Sequence, residues 1–294
     1  MSCSRMIHIV RQGVWKVPFL FLVMGLAAGA GCRQKPQAPS PEILMLRVEQ
    51  VPSQPEDPAW QRAPEYVGKL LLQDIVEPRQ LKETTTEVRV RALEDGKLVA
   101  FRLQWQDPTR DELPGPGRFL DACALQVPME AGATLPAPQM GEPGKPVEIL
   151  FWNAAWQALS QGRKDELQAL YPNAWVDHYP YQAPPLKRDP GMQKEMESLY
   201  LPARALGNNR AGPRAMPVEE YVAQGPGTVS PGRGFGSYGL GRHTPKGWSV
   251  VLSRDIPKSR YVALAIWDGA QGEAGGRKMR TGWIPLREAK APSR

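Results

Sequence analysis

The chain has 294 residues, 41% of them hydrophobic, and a formal net charge of +7, a size that supports one domain with a substantial core or two small ones. Lysine and arginine are interleaved with aspartate and glutamate, with no basic cluster spaced by aromatics, which argues against a nucleic-acid platform. Of three cysteines, Cys3 and Cys32 fall within the first 32 residues, so Cys123 stands alone in the body and no disulfide framework can form there.

Residues 1–32 have the layout of a secretory signal: Arg5, Arg11 and Lys16, then an apolar run from Val17 to Leu26, then small residues up to Cys32. The apolar run is too short for a membrane span. Cys32 follows three small residues, as in the lipid-attachment box of bacterial lipoproteins, although Gly29 stands where leucine is usual. Lipidation of Cys32 and plain cleavage both remain open, and either implies a periplasmic or exported protein. Residues 33–42 form a polar, proline-rich tether. The fold is expected over 43–288 as a single domain, with an insertion at 153–217.

Ile43 to Val48 reads as a first strand and Gly68 to Val76 as a second apolar run. Glu87 to Arg91 and Leu98 to Trp105 flank Glu94-Asp-Gly-Lys97, where Asp95-Gly96 suits the positive φ angles of a tight hairpin. Phe101, Leu103 and Trp105 share one face of that hairpin and Arg102, Gln104 and Gln106 the other, so one side is expected to be buried.

The stretch from Phe119 to Trp152 runs strand, Pro/Gly-rich loop, strand, with Met140 between Pro138 and Gly141. A stiffened loop can hold a thioether at a fixed point, which suits metal ligation; the alternative is a methionine filling a gap in the core. Cys123 reads as a small buried side chain, and Asp121 and Asp268 as turn residues. Ala154 to Tyr171 places Leu159, Leu167 and Leu170 at helical spacing, with Gly162 as a weak point. From Pro172 to Pro217 periodicity fades, with short helices expected around Met196–Leu206; so long an irregular segment is usually functional or partner-facing. Gly247 to Arg254, Arg260 to Gly269 and Thr281 to Leu286 return to strands. The fold class is therefore mainly β, an antiparallel sandwich or barrel with a helical or irregular insertion. Trp152, Trp248, Trp267 and Trp283 are expected in the core or in a pocket wall. No C-x-x-C-H is present, which excludes covalent haem attachment through that motif.

Several stretches carry a family resemblance: Trp105-Gln-Asp, F-L-D-A-C-A-L-Q-V-P from Phe119, Pro138-Gln-Met-Gly, V-E-I-L-F-W from Val147, A-Q-G-P-G-T from Ala223, G-W-S-V-V-L-S-R from Gly247, V-A-L-A-I-W-D-G from Val262 and G-R-K-M-R-T-G-W from Gly276. In order and spacing the chain resembles the haem-binding gamma subunits of ethylbenzene dehydrogenase and dimethylsulfide dehydrogenase. Their relatives include chlorate, selenate and nitrate reductase and nitrite oxidoreductase gamma-like subunits. The resemblance implies a β-sandwich like DOMON domains and family-9 carbohydrate-binding modules, and one non-covalent b-type haem with methionine and lysine as axial ligands. Those ligands map to Met140 and Lys278, with Trp152 and Trp267 expected at the pocket. It also implies a molybdopterin alpha subunit, an iron–sulfur beta subunit and a soluble c-type cytochrome or similar carrier as partners, with no catalysis by this chain itself. Lysine ligates iron only when deprotonated, against an ordinary pKa of about 10.4, so coordination and burial must keep Lys278 neutral. Lys278 as a solvated turn residue is the alternative. Histidine is the commoner haem ligand, which makes Met140 with His243 the competing pair; His178 lies in the insertion. A carbohydrate-binding module with an exposed tryptophan platform and no haem is the alternative function, and an exported scaffold lipoprotein without a cofactor is a third.

Overall fold

The computed structural model describes residues 41–289 except 133, 165–170, 174–187, 193–194, 196–205 and 207–213. The leader with Cys32, the tether up to residue 40, His178 and nearly all of the helices expected at 196–206 lie outside the described residues. The elements run β1 Ile43–Arg47, β2 Tyr66–Lys69, β3 Glu87–Glu94, β4 Leu98–Trp105, β5 Ala122–Pro128, β6 Val147–Asn153, α1 Ala154–Ser160, β7 Val218–Ala223, β8 Ser230–Pro231, β9 Tyr238–Thr244, β10 Gly247–Asp255, β11 Tyr261–Trp267, β12 Met279–Arg280 and β13 Ile284–Glu288. Among the described residues, no helix is long and apolar enough to cross a membrane.

Hydrogen bonding links the strands in the order β8-β7-β6-β5-β11-β13-β1-β3-β4-β10-β9, with β12 on β11 and β2 on β3. This continuous sheet doubles over at β11, whose first two residues, Tyr261 and Val262, pair with β13 while Ala263 to Trp267 pair with β5. The two layers close face to face as a β-sandwich. Phe101, Leu103, Leu125, Leu150, Leu252 and Ile266 fill the interior. Trp152 bridges the layers, its ring centroid 6.4 Å from Trp105 and 4.9 Å from Trp248. Each inward side chain is set by the period-2 alternation of its strand.

Three features depart from the expected pattern. β1 is parallel to both its neighbours, β3 and β13, so the sheet is mixed; the long connection from Arg47 to Glu87 supplies the crossover that a parallel pair requires. The outer face of the β3–β4 hairpin, expected to be open, is covered over part of its length, at Leu93, Ala100 and Arg102, while Arg89 stays exposed. The segment Pro58–Arg62 lays Trp60 over that face, and Arg102, 5% exposed, stacks 5.7 Å from that indole and donates to the Pro55 carbonyl at 3.2 Å. β9 falls in a Gly-rich stretch that reads as a turn in sequence. Its Gly239 and Gly241 face Val218 and Trp152 so closely that a Cβ at either position would collide with them, and glycine there permits the close approach that closes the sandwich edge.

Candidate functional site

β5, β6 and β11 are apolar at both parities, as expected of strands covered on both faces. Their inward residues form the core, and their outward residues form a second apolar surface. There Ala122 and Ala124 of β5 lie beside Ala265 and Trp267 of β11, flanked by Ile149 and Phe151 of β6 and Tyr221 of β7. The small alanines leave depth where larger side chains would fill the surface. The result is a cavity of about 430 Å³ floored by Ala124, Gln126, Ala263 and Ala265, within the usual size range of cofactor and ligand pockets.

Two loops wall it. The first carries Met140, whose backbone adopts φ 69°, the left-handed region, and it is the non-glycine residue that does so among the described residues. Three hydrogen bonds pin this loop. Trp283 Nε1 donates to the Pro136 carbonyl at 2.7 Å, Gln126 Nε2 to Pro138 at 3.2 Å, and the Gly225 amide to the Met140 carbonyl at 2.8 Å. A methionine held where glycine would be relaxed is an outlier that points to use of its side chain.

The second wall runs from Gly275 to Arg280. Alternation along this edge sends Met279 into the core, fully buried, and leaves Lys278 and Arg280 on the cavity. The segment is tied at both ends: Gln73 Nε2 donates to the Gly276 carbonyl at 2.8 Å, and Leu71 and Arg280 exchange backbone hydrogen bonds at 2.7 and 3.0 Å. Lys278 Nζ lies 5.0 Å from the Trp267 ring centroid and makes no ion pair among the described residues. Burial, reinforced by the nearby Arg280 charge, lowers its pKa from the ordinary 10.5 to about 8. An amine there sheds its proton far more readily than on the surface. Arg280 carries a buried Nε with no partner among the described residues, and Glu77, which also lines the cavity, is paired with Arg79 at 2.9 Å. The cavity therefore offers a thioether, a readily neutralised amine and the guanidinium of Arg280, above a largely apolar floor.

Met140, Lys278 and Trp267 are thus brought to one cavity. Trp152 is not, which corrects the expectation that it lines the pocket. It lies on the inward parity of β6, fully buried, with its Nε1 donating to Gln157 Oε1 at 3.1 Å. Trp152→Ala is expected to lower stability by about 3–5 kcal/mol, the usual cost of emptying a buried aromatic site, measured by urea unfolding. His243 is likewise elsewhere: it sits on β9 with Nε2 3.0 Å from the Asp107 carbonyl and its ring 4.9 Å from Trp248, so it does not share the cavity with Met140. Cys123 is fully buried, and burial pushes its thiol pKa well up, in keeping with an inert core residue. Phe151, Tyr221 and Arg280 went unread in sequence, as did the alanine floor. A signal for that floor existed, since alanine recurs at every second position in both A-C-A and A-L-A, a spacing that puts small residues on one face of a strand.

The family description that matches this chain is "Ethylbenzene dehydrogenase", over residues 57–279. The chain belongs to the ethylbenzene dehydrogenase family. A relative in Haloferax mediterranei, provisionally named a respiratory nitrate reductase heme subunit (ORF7), is 24% identical over 260 residues, covering 83% of this chain and 72% of the relative. Two solved structures of a family-9 carbohydrate-binding module from Caldicellulosiruptor kristjanssonii are also similar. The cellotriose complex aligns at TM-score 0.40 and 9% identity over 86% of this chain and 96% of the module. The glucose complex aligns at TM-score 0.41 and 8% identity over 85% and 97%. Likeness of that degree says nothing about ligands. Within this ethylbenzene dehydrogenase family member, the family match takes in Met140 and Lys278 and the strands that floor the cavity.

Proposed function

We propose that this chain is an exported subunit that binds one b-type haem between Met140 and Lys278. It would exchange electrons between the iron–sulfur subunit of a molybdopterin oxidoreductase and an external carrier such as a soluble c-type cytochrome. The observation that carries the reading is the convergence of a backbone-constrained thioether and a low-pKa amine, far apart in sequence, on one apolar cavity. The family membership and the haem in the name of the Haloferax relative support it.

A bound haem supplies reversible one-electron iron chemistry. The chain's residues would set its terms. Met140 offers a soft neutral sulfur, which favours reduced iron and raises the potential. Lys278 offers a nitrogen lone pair once its proton is lost. Arg280 lines the cavity, and its guanidinium is suited to a carboxylate on the cofactor's rim. The alanine and aromatic floor excludes water from the flat apolar face. With Met140 and Lys278 both holding the iron, no position would be left for substrate, so the role would be electron carriage rather than catalysis. Cys123 is buried, so clusters would have to belong to partners. Export, and a lipid on Cys32, would place the complex in the periplasm or at a membrane surface.

The sugar-binding alternative needs exposed tryptophans, and among the described residues every tryptophan is buried or partly buried. Titration of the purified haem-free protein with haemin separates the two. A saturable Soret band at one haem per chain, with sharp b-type bands on reduction, is expected. A protein that stays colourless while retaining its fold would overturn the proposal.

A further inference from the structure

Away from the cavity, three strand ends place carboxylates together: Asp107 after β4, Asp121 before β5 and Asp268 after β11. Each offers one oxygen, and the three lie within 4.8 Å of one another. All are buried, at 1%, 0% and 9% exposure. Glu273, 1% exposed, adds a fourth carboxylate alongside, accepting from the Asp268 amide at 2.9 Å and from Thr84 Oγ1 at 2.5 Å. Among the described residues none of the four forms a salt bridge. Two basic groups close by are otherwise engaged: Lys82 Nζ donates to Gln271 Oε1 at 3.1 Å, and His243 meets the Asp107 backbone carbonyl, not its side chain.

Buried carboxyls in such company either hold protons or gather positive charge, and burial raises the pKa of all four. Asp121 accepts from the Asp111 amide at 2.7 Å, the Gly269 amide at 2.9 Å and Trp248 Nε1 at 2.9 Å, but burial outweighs these bonds and pushes its pKa up to about 7, so its ionised form gains from a positive charge beside it. Asp107 uses only Oδ1, which accepts from the Thr109 amide and hydroxyl at 3.1 and 3.0 Å. Its Oδ2 is buried and receives no hydrogen bond from an N–H or hydroxyl donor among the described residues; the group it meets is the carboxyl of Asp121. That orphaned oxygen is the observation that points to a ligand, because an unsatisfied buried acceptor costs far more than a satisfied one.

We infer that Asp107, Asp121 and Asp268 hold a hard divalent cation of the calcium class, a site separate from the haem cavity. An all-oxygen donor set selects such ions over softer metals. Calcium–oxygen distances of about 2.3–2.6 Å allow opposed ligands to stand about 5 Å apart, which the 4.8 Å spread satisfies. The ion would tie the ends of β4, β5 and β11, strands of both layers, and does not depend on the haem assignment. Backbone carbonyls and water would complete its shell.

The test uses the full chain stripped with chelator and then titrated with calcium or magnesium chloride. One calcium per chain by calorimetry is expected, tighter than magnesium, with the melting temperature raised by roughly 5–10 °C at a hundredfold excess over Kd. Asp107→Asn removes the orphan charge and should abolish both effects. Should that variant fail to fold, terbium bound to the wild type serves instead. Trp248 donates to Asp121, so excitation of the indole should sensitise terbium emission that calcium displaces. No calcium heat, a melting temperature indifferent to calcium and no displaceable emission would overturn the inference.

Discussion

Met140→Leu is expected to leave the fold intact and remove the iron's sulfur ligand. Leucine keeps the volume and apolarity that Met140 contributes beside Trp267 and Phe151, and swaps of that kind cost under about 1.5 kcal/mol. The haem-loaded variant should then lose its low-spin spectrum, or keep it only with a substitute ligand. Its midpoint potential should fall by on the order of 0.1 V, a modest part of the roughly 0.8 V that axial ligands span. The backbone argument sharpens this expectation. The loop holds Met140 at φ 69° through hydrogen bonds from Trp283, Gln126 and Gly225, so the scaffold persists without the sulfur and a neighbouring group has little freedom to swing in. An unchanged spectrum and potential would remove Met140 from the ligand set.

Lys278 should make the protein depend on pH in two ways. Without haem, its folded pKa of about 8 lies below the ordinary 10.5, so between those values the unfolded chain binds more protons than the folded one. Stability of the haem-free protein therefore rises as pH climbs from about 8 towards 10.5, and below about 8 the full penalty of burying the ammonium is present. At 1.36 kcal/mol per unit that penalty is about 3 kcal/mol. Lys278→Met should relieve it, stabilising the haem-free protein at neutral pH and flattening its rise at alkaline pH, as followed by urea unfolding. With haem the cost becomes function. Only the neutral amine ligates, so affinity should drop about tenfold for each pH unit below about 8 and level off above it. Lys278→Arg, which cannot deprotonate, should bind haem weakly at every pH. Haem affinity in the wild type that is flat across this range would contradict the amine's role.

The parts of this molecule that the sequence made legible are those where alternation and turn chemistry agree. The β3–β4 hairpin is an example: Asp95-Gly96 fixes its turn and Phe101, Leu103 and Trp105 its buried face. Met140 and Lys278 were legible only through the family resemblance, since their own neighbourhoods equally suit a core methionine and a surface lysine. Face and partner were harder to read. V-E-I-L-F-W is apolar at both parities, so nothing in it states that Trp152 points inward while Phe151 floors the cavity; pairing with β5 and β7 decides that. β1 alternates in the same way whether its neighbours run parallel or antiparallel. β9 looked like a turn because its glycines serve close packing against Val218 and Trp152. Asp121 and Asp268 looked like separate turn residues, and Asp107 drew no reading of its own, because only the closed sandwich brings those three strand ends together.

The central claim is that iron in this protein is held by one thioether and one amine. Near-infrared magnetic circular dichroism of the ferric haem-loaded chain tests it most directly, because the porphyrin-to-iron charge-transfer band moves with the axial pair. A single low-spin band at the energy of methionine–amine ligation, lost in Met140→Leu and shifted in Lys278→Met, is the predicted result. A high-spin spectrum, or a band of histidine ligation that survives both substitutions, would contradict it.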